Sequence, residues 1–226
     1  FKNNIDEYYR FSKKFPFIET EDQSTTIKEV ISDMTSLKSM DRLICGDVGF
    51  GKTEIIMRAA FIAALDERQS MILAPTTILV EQHYKTFIRR FDETAISIGK
   101  LSRLQTSGQK KKTLEMIESG KLDIIIGTHA LLSKKVIFKK IGLLVIDEEH
   151  KFGVADKEKI KKLKNNIDVL TLTATPIPRT LNSALSQIRD LSVIETAPKN
   201  RKSILTRIID WNNDIISDAI EREVQR

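Results

Sequence analysis

Residues Gly46 to Thr53, Gly-Asp-Val-Gly-Phe-Gly-Lys-Thr, set three glycines ahead of a lysine and a hydroxyl in the spacing G-x-x-x-x-G-K-[ST]. Lacking a Cβ, Gly46, Gly49 and Gly51 permit backbone angles and close approaches through which successive amide N–H groups converge on phosphate oxygens. Asp47, Val48 and Phe50 fill the variable places of that loop. Lys52 is expected to reach the β- and γ-phosphates of a nucleotide as a point charge, and Thr53 to ligate Mg2+ beside them. A second run, LLVIDEEH over 143–150, is apolar until it ends in acids. Asp147 suits a Mg2+ ligand and Glu148 a group that orients and deprotonates water, so the pair points to hydrolysis. Glu149 and His150 follow where loss of a γ-phosphate could be sensed. In LTLTATPIPRTL, 170–181, Thr173 and Thr175 flank Ala174 at the end of another apolar run. Their hydroxyls could bond the acids in one nucleotide state and not another, while Pro176 and Pro178 fix the chain as it leaves the sheet.

The elements that must hold these residues read as alternating strand and helix. Short apolar, β-branched runs occur at 42–45, 70–74, 122–128, 142–147, 168–175 and 190–194, with amphipathic stretches at 52–66, 77–91, 108–119, 156–164 and 178–187. That alternation predicts an α/β fold with a mainly parallel sheet, helices on both faces and ligands outside the carboxyl ends of the strands. With 226 residues, 41% of them hydrophobic, the chain has enough apolar surface for a sizeable core. There are 37 Lys+Arg against 31 Asp+Glu, a net +6 that allows a polyanionic partner without demanding one. The one cysteine, Cys45, lies inside an apolar run, which excludes a disulfide framework and fits a reducing, cytoplasmic compartment. No apolar run reaches the roughly 18 residues of a membrane span. The start, FKNNIDEYYRF, has neither a signal-peptide core nor an initiator Met, so the chain reads as a piece of a longer one. From 195 onward a Pro-containing turn, one strand and a closing polar helix are expected.

In order, GDVGFGKTE, APTTILVEQHY, IIIGTHALL, VIDEEHKFGV and TLTATPIPRTL resemble the superfamily 2 helicases and translocases. Within them the likeness is to the family of bacterial transcription-repair coupling factors, with RecG branched-DNA helicases as close relatives. Phe50, Glu54, DEEHKFGV and RDLSVIETAPKNR lean toward the coupling factors, and the likeness covers roughly residues 15 to 226. It implies a RecA-like P-loop domain, the first of two motor lobes, using ATP and Mg2+ to move on double-stranded DNA and displace stalled RNA polymerase for repair. The division it implies is an N-terminal segment 1–22, a lobe 23–196 and a linker 197–226 toward a second lobe. By the same likeness Gln23 reads the adenine edge, Phe15 or Phe17 stacks on the ring, and Glu54 joins the nucleotide site. Thr76, Thr77 and Gln82, Ser102 and Arg103, and Thr128 and His129 match motifs that contact a nucleic-acid backbone without reading bases. RNA polymerase and repair proteins would be met through regions absent from this chain. Two other readings stay open: a RecG-like lobe for branched DNA, and a nucleotide-gated interaction module that does not move. His83 and His129 read as surface or core histidines, with nothing pointing to metal.

Overall fold

The computed structural model describes residues 5–164, 167–175, 189–198, 206 and 208–225. Among them seven strands form one sheet: β1 (Asp41–Gly46), β2 (Gln69–Leu73), β3 (Ile98–Leu101), β4 (Ile124–Gly127), β5 (Ile141–Asp147), β6 (Asp168–Thr173) and β7 (Asp190–Ile194). Their order is β3-β4-β2-β5-β6-β1-β7 and every neighbouring pair is parallel. Successive side chains on a strand face opposite ways, and here both faces are apolar. On β5, Leu143 and Val145 join one core with Ile44, Ile72 and Leu170, whereas Leu144 and Ile146 join the other with Met71, Ile125 and Val169.

Helices cover both faces, as parallel crossovers require. The described ones are α1 (Ile5–Lys13), α2 (Glu21–Thr35), α3 (Lys52–Leu65), α4 (Thr77–Arg90), α5 (Ser107–Glu118), α6 (Val154–Leu163) and α7 (Asn213–Gln225). Ten consecutive residues of α3, Glu54 to Ala63, are buried, so the helix behind the glycine loop is a core element on every side. Local chemistry fixes helix starts. Thr20 and Gln23 form a reciprocal capping box on α2, Thr106 and Gln109 do the same on α5, and the Thr76 hydroxyl accepts from Leu79 N–H on α4. No helix among the described residues is long and apolar enough to cross a membrane.

Three elements, α1, α2 and β3, appear where the sequence reading placed no strand or amphipathic stretch. β3 is an edge strand, bonded to β4 alone and half-buried along three of its four residues; Gly99 and Lys100 break its apolar pattern. α1 is short, and what anchors it is tertiary: Phe11 stacks on Phe61 with ring centroids 4.2 Å apart. The expected helix at 178–187, with Pro176 and Pro178, lies outside the described residues. The closing polar helix is α7, which has no buried residue.

Candidate functional site

Three adjacent strand ends bring the chemistry together. β6 lies between β5 and β1, with Asp147 opposite Leu172 and Cys45 opposite Thr173. The glycine loop after β1, the acids after β5 and Thr173-Ala174-Thr175 after β6 therefore emerge side by side at the carboxyl edge. In the loop Gly49 has φ 83° and Gly51 φ 77°, a region other residues enter only under strain. A Cβ on Gly51 would also lie 2.4 Å from Gln23 Nε2. Lys52 Nζ folds into the loop and donates to the carbonyls of Gly46 at 2.5 Å and Asp47 at 3.0 Å. Burial lowers the Lys52 pKa, opposed by the charges of Asp147, Glu148 and Asp47. Thr53 is half-buried in the first turn of α3. The Cys45 thiol beneath the loop is pushed up to about 11 by burial, which makes it inert.

The acids are held individually. Asp147 Oδ2 accepts from His83 Nε2 at 3.0 Å, and Oδ1 is bonded to nothing among the described residues. Glu148 adopts φ 54° and ψ 57°, in the left-handed region. Its N–H donates to Leu172 O at 3.0 Å, its Oε1 accepts from Ala174 N–H at 3.0 Å, and His150 Nδ1 lies 3.3 Å from its Oε2. Glu149 turns elsewhere, to Arg189 at 3.5 Å and Lys164 at 3.9 Å. Burial lowers the Lys164 pKa, and neighbouring Arg189 lowers it further. Among the described residues no three His, Cys, Asp or Glu side chains gather as a metal cage. A hydroxyl on Thr53 and one carboxylate on Asp147 fit Mg2+, which takes most of its ligands from phosphates and water.

The segment expected to read adenine divides in two. Phe15 and Phe17 meet edge to face at 5.5 Å and line a cavity of about 720 Å3 with Met57 and Arg90. Gln23 is buried instead: its Oε1 accepts from Thr20 N–H at 2.9 Å and its Nε2 donates to Phe50 O at 2.8 Å, so its amide grips the glycine loop. The Glu54 carboxylate is likewise buried, 3.0 Å from Arg58 Nε and 2.8 Å from Arg90 Nη2. Helix packing takes up that carboxylate.

The other half of the carboxyl edge collects the remaining motifs. β2, β4 and β3 are neighbours, and Thr76, Thr77 and Gln82, Thr128 and His129, and Ser102 and Arg103 follow their three ends. Arg103 Nη2 donates to His129 Nε2 at 3.3 Å, and both side chains are exposed, as are Thr76 and Gln82. Ser102 and Thr128 are buried, and their hydroxyls accept from Leu104 N–H and Ala130 N–H. His83, Arg189 and Lys164 are the residues sequence reasoning missed. His83 carried one signal, its place in an amphipathic helix beside Gln82; Arg189 and Lys164 carried none.

A glycine loop and acids on neighbouring ends of an all-parallel sheet are the RecA-like helicase fold, and the chain belongs to the DEAD/DEAH box helicase family, which matches residues 20–184. It is 53% identical over 226 residues to the transcription-repair-coupling factor of Haemophilus influenzae and 48% identical over 226 residues to that of Escherichia coli, alignments that cover all of this chain and 20% of each relative. That of Bacillus subtilis is 53% identical over 216 residues. The chain thus spans about a fifth of the length of these relatives. RecG bound to a three-way DNA junction superposes with a TM-score of 0.74 at 33% identity, over 95% of this chain and 28% of that one.

Proposed function

We propose that this chain is the ATP-binding, hydrolysing lobe of a motor that moves on duplex DNA, with 23–196 as the lobe and 197–226 leading to a second one. The observation that carries the reading is the convergence of Lys52, Asp147 and Glu148 at strands β1 and β5 on either side of β6. ATP enters at the glycine loop, where Lys52 exchanges the Gly46 and Asp47 carbonyls for phosphate oxygens. Thr53 and Asp147 hold Mg2+, which supplies positive charge against the phosphates. Glu148 orients a water and takes its proton. Ala174 N–H, bonded to Glu148, carries the change to β6 and its flanking Thr173 and Thr175, while His150 follows Glu148 directly and Glu149 carries it toward Arg189 and Lys164. Phe15 or Phe17 stacks on adenine, with Gln23 tying that segment to the loop.

The second half of the edge grips the DNA backbone through Thr76, Thr77, Gln82, Ser102, Arg103, Thr128 and His129, so hydrolysis moves the grip without reading sequence. The likeness to the coupling factors supports displacement of stalled RNA polymerase in the cytoplasm as the work done. A second reading, remodelling of branched DNA, is favoured by the 33% identity to RecG. The nucleotide site is tested by calorimetry of Mg·ATP binding. Lys52→Ala should bind about 10- to 100-fold more weakly, the loss of one to two charge-assisted contacts, while remaining folded. Equal affinity would remove the phosphate assignment.

A further inference from the structure

We infer that His83 is a positioning residue for Asp147, fixing the carboxylate that faces the nucleotide. Resting on the nucleotide reading above, this assigns a role to a side chain that the sequence motif leaves without one. Three observations carry it. His83 lies on α4, outside the glycine loop and the acid run, yet its Nε2 is 3.0 Å from Asp147 Oδ2. Because an ionised carboxylate only accepts, Nε2 is the donor. Both side chains are nearly out of solvent, at 11% and 15% exposure, where a hydrogen bond between them is not traded freely for water. Asp147 Oδ2 is taken by His83 while Oδ1 has no partner among the described residues. Rotation about the Cβ–Cγ bond of an aspartate is soft, so a carboxylate held at one oxygen points the other in a defined direction, and one held at neither does not.

The consequence reaches beyond Asp147. α4 begins at Thr77, with Thr76 as its cap and Gln82 beside His83, so the helix that would meet the DNA backbone also holds the metal-facing acid. His83 acts through Asp147 and is not itself a catalytic residue. Outer groups that orient a metal ligand are typically worth about 10- to 100-fold in metal affinity.

The experiment is calorimetric binding of a non-hydrolysable ATP analogue by this chain, without Mg2+ and across a Mg2+ series. His83→Ala and His83→Gln are compared with the parent; glutamine offers an N–H near the reach of Nε2. Without Mg2+ all three should bind alike, which also reports an intact loop. The Mg2+ concentration for half-maximal tightening should rise about tenfold in His83→Ala and return to within about threefold of the parent in His83→Gln. An alanine variant with the parent's Mg2+ dependence, or a glutamine variant no better than alanine, overturns the inference. So does loss of Mg2+-free binding in both variants, which would make the role structural. A parent chain whose binding ignores Mg2+ overturns the nucleotide reading itself, and this inference with it.

Discussion

Glu148 rests where an L-residue rarely does, and left-handed backbone costs a non-glycine about 1–2 kcal/mol. What keeps it there is over-determination: its N–H on Leu172 O, its Oε1 under Ala174 N–H, and β5 paired to β6 up to Asp147. The turn lifts the carboxylate off the end of β5 and lays it against the end of β6. Glutamine keeps the Oε1 acceptor for Ala174 and cannot take a proton. In the full-length protein Glu148→Gln should therefore bind Mg·ATP within a few-fold of the parent and hydrolyse it about 10²–10⁴ times more slowly in single-turnover phosphate release. Unchanged turnover would place the base elsewhere. The place of the acid was legible in DEEH only in company with the glycine loop, because acids closing an apolar strand are by themselves usually a solvated turn. Its left-handed backbone was not, since glutamate carries no signal for that conformation.

At the scale of elements, buried charges lock the helices behind the loop. Glu54 on α3 takes Arg58 one turn on and Arg90 from α4, Arg58 also reaches Glu19 at 2.5 Å, and Arg90 donates to Phe11 O at 2.9 Å while lying over the Phe11 ring. Removing the shared carboxylate leaves two nearly buried guanidiniums short of a partner. Glu54→Ala should cost about 3–5 kcal/mol, read as a fall in denaturation midpoint; a loss below about 0.5 kcal/mol would mean the arginines find other acceptors. The Glu54, Arg58 spacing of i, i+4 was a visible pairing signal, outweighed by the pull of the glycine loop on its neighbour. The five interior strands were legible because their runs are apolar on both faces, and the edge strand β7 because Leu191, Val193 and Ile194 keep its run recognisable. β3, at the other edge, was not, because Gly99 and Lys100 interrupt its short apolar run.

A second lock ties α2 to the exit of β7. Asp22 accepts from Thr196 N–H at 2.7 Å and Glu195 N–H at 2.9 Å, and these backbone bonds, Thr196 first, hold its pKa below the ordinary 3.8. A depressed carboxylate contributes stability that is whole above the unfolded pKa and lost as pH falls through the lower, folded one. Asp22→Asn should thus melt below the parent at pH 7, still do so at pH 3.8, and converge with it only at lower pH. Melting curves that converge already at pH 5 would show that the contact is not holding that segment.

On the scale of the whole molecule, the carboxyl edge divides cleanly. β5, β6 and β1 carry the groups suited to a nucleotide, β2, β4 and β3 those suited to a phosphate backbone, and His83 on α4 spans the two. The net charge of +6 agrees with a polyanionic partner but could not have located it. The central claim is that this lobe holds Mg·ATP and aims a water, while charge growing on the transferred phosphoryl group needs a cation from a facing lobe. A supplied arginine is typically worth about 10³–10⁵ in rate. The direct measurement is steady-state phosphate release, with and without duplex DNA, from this chain and from a longer one that continues through a second RecA-like lobe. Slow release that DNA barely stimulates is expected from this chain, and fast, DNA-stimulated release from the longer one. Equal rates from the two would contradict that claim.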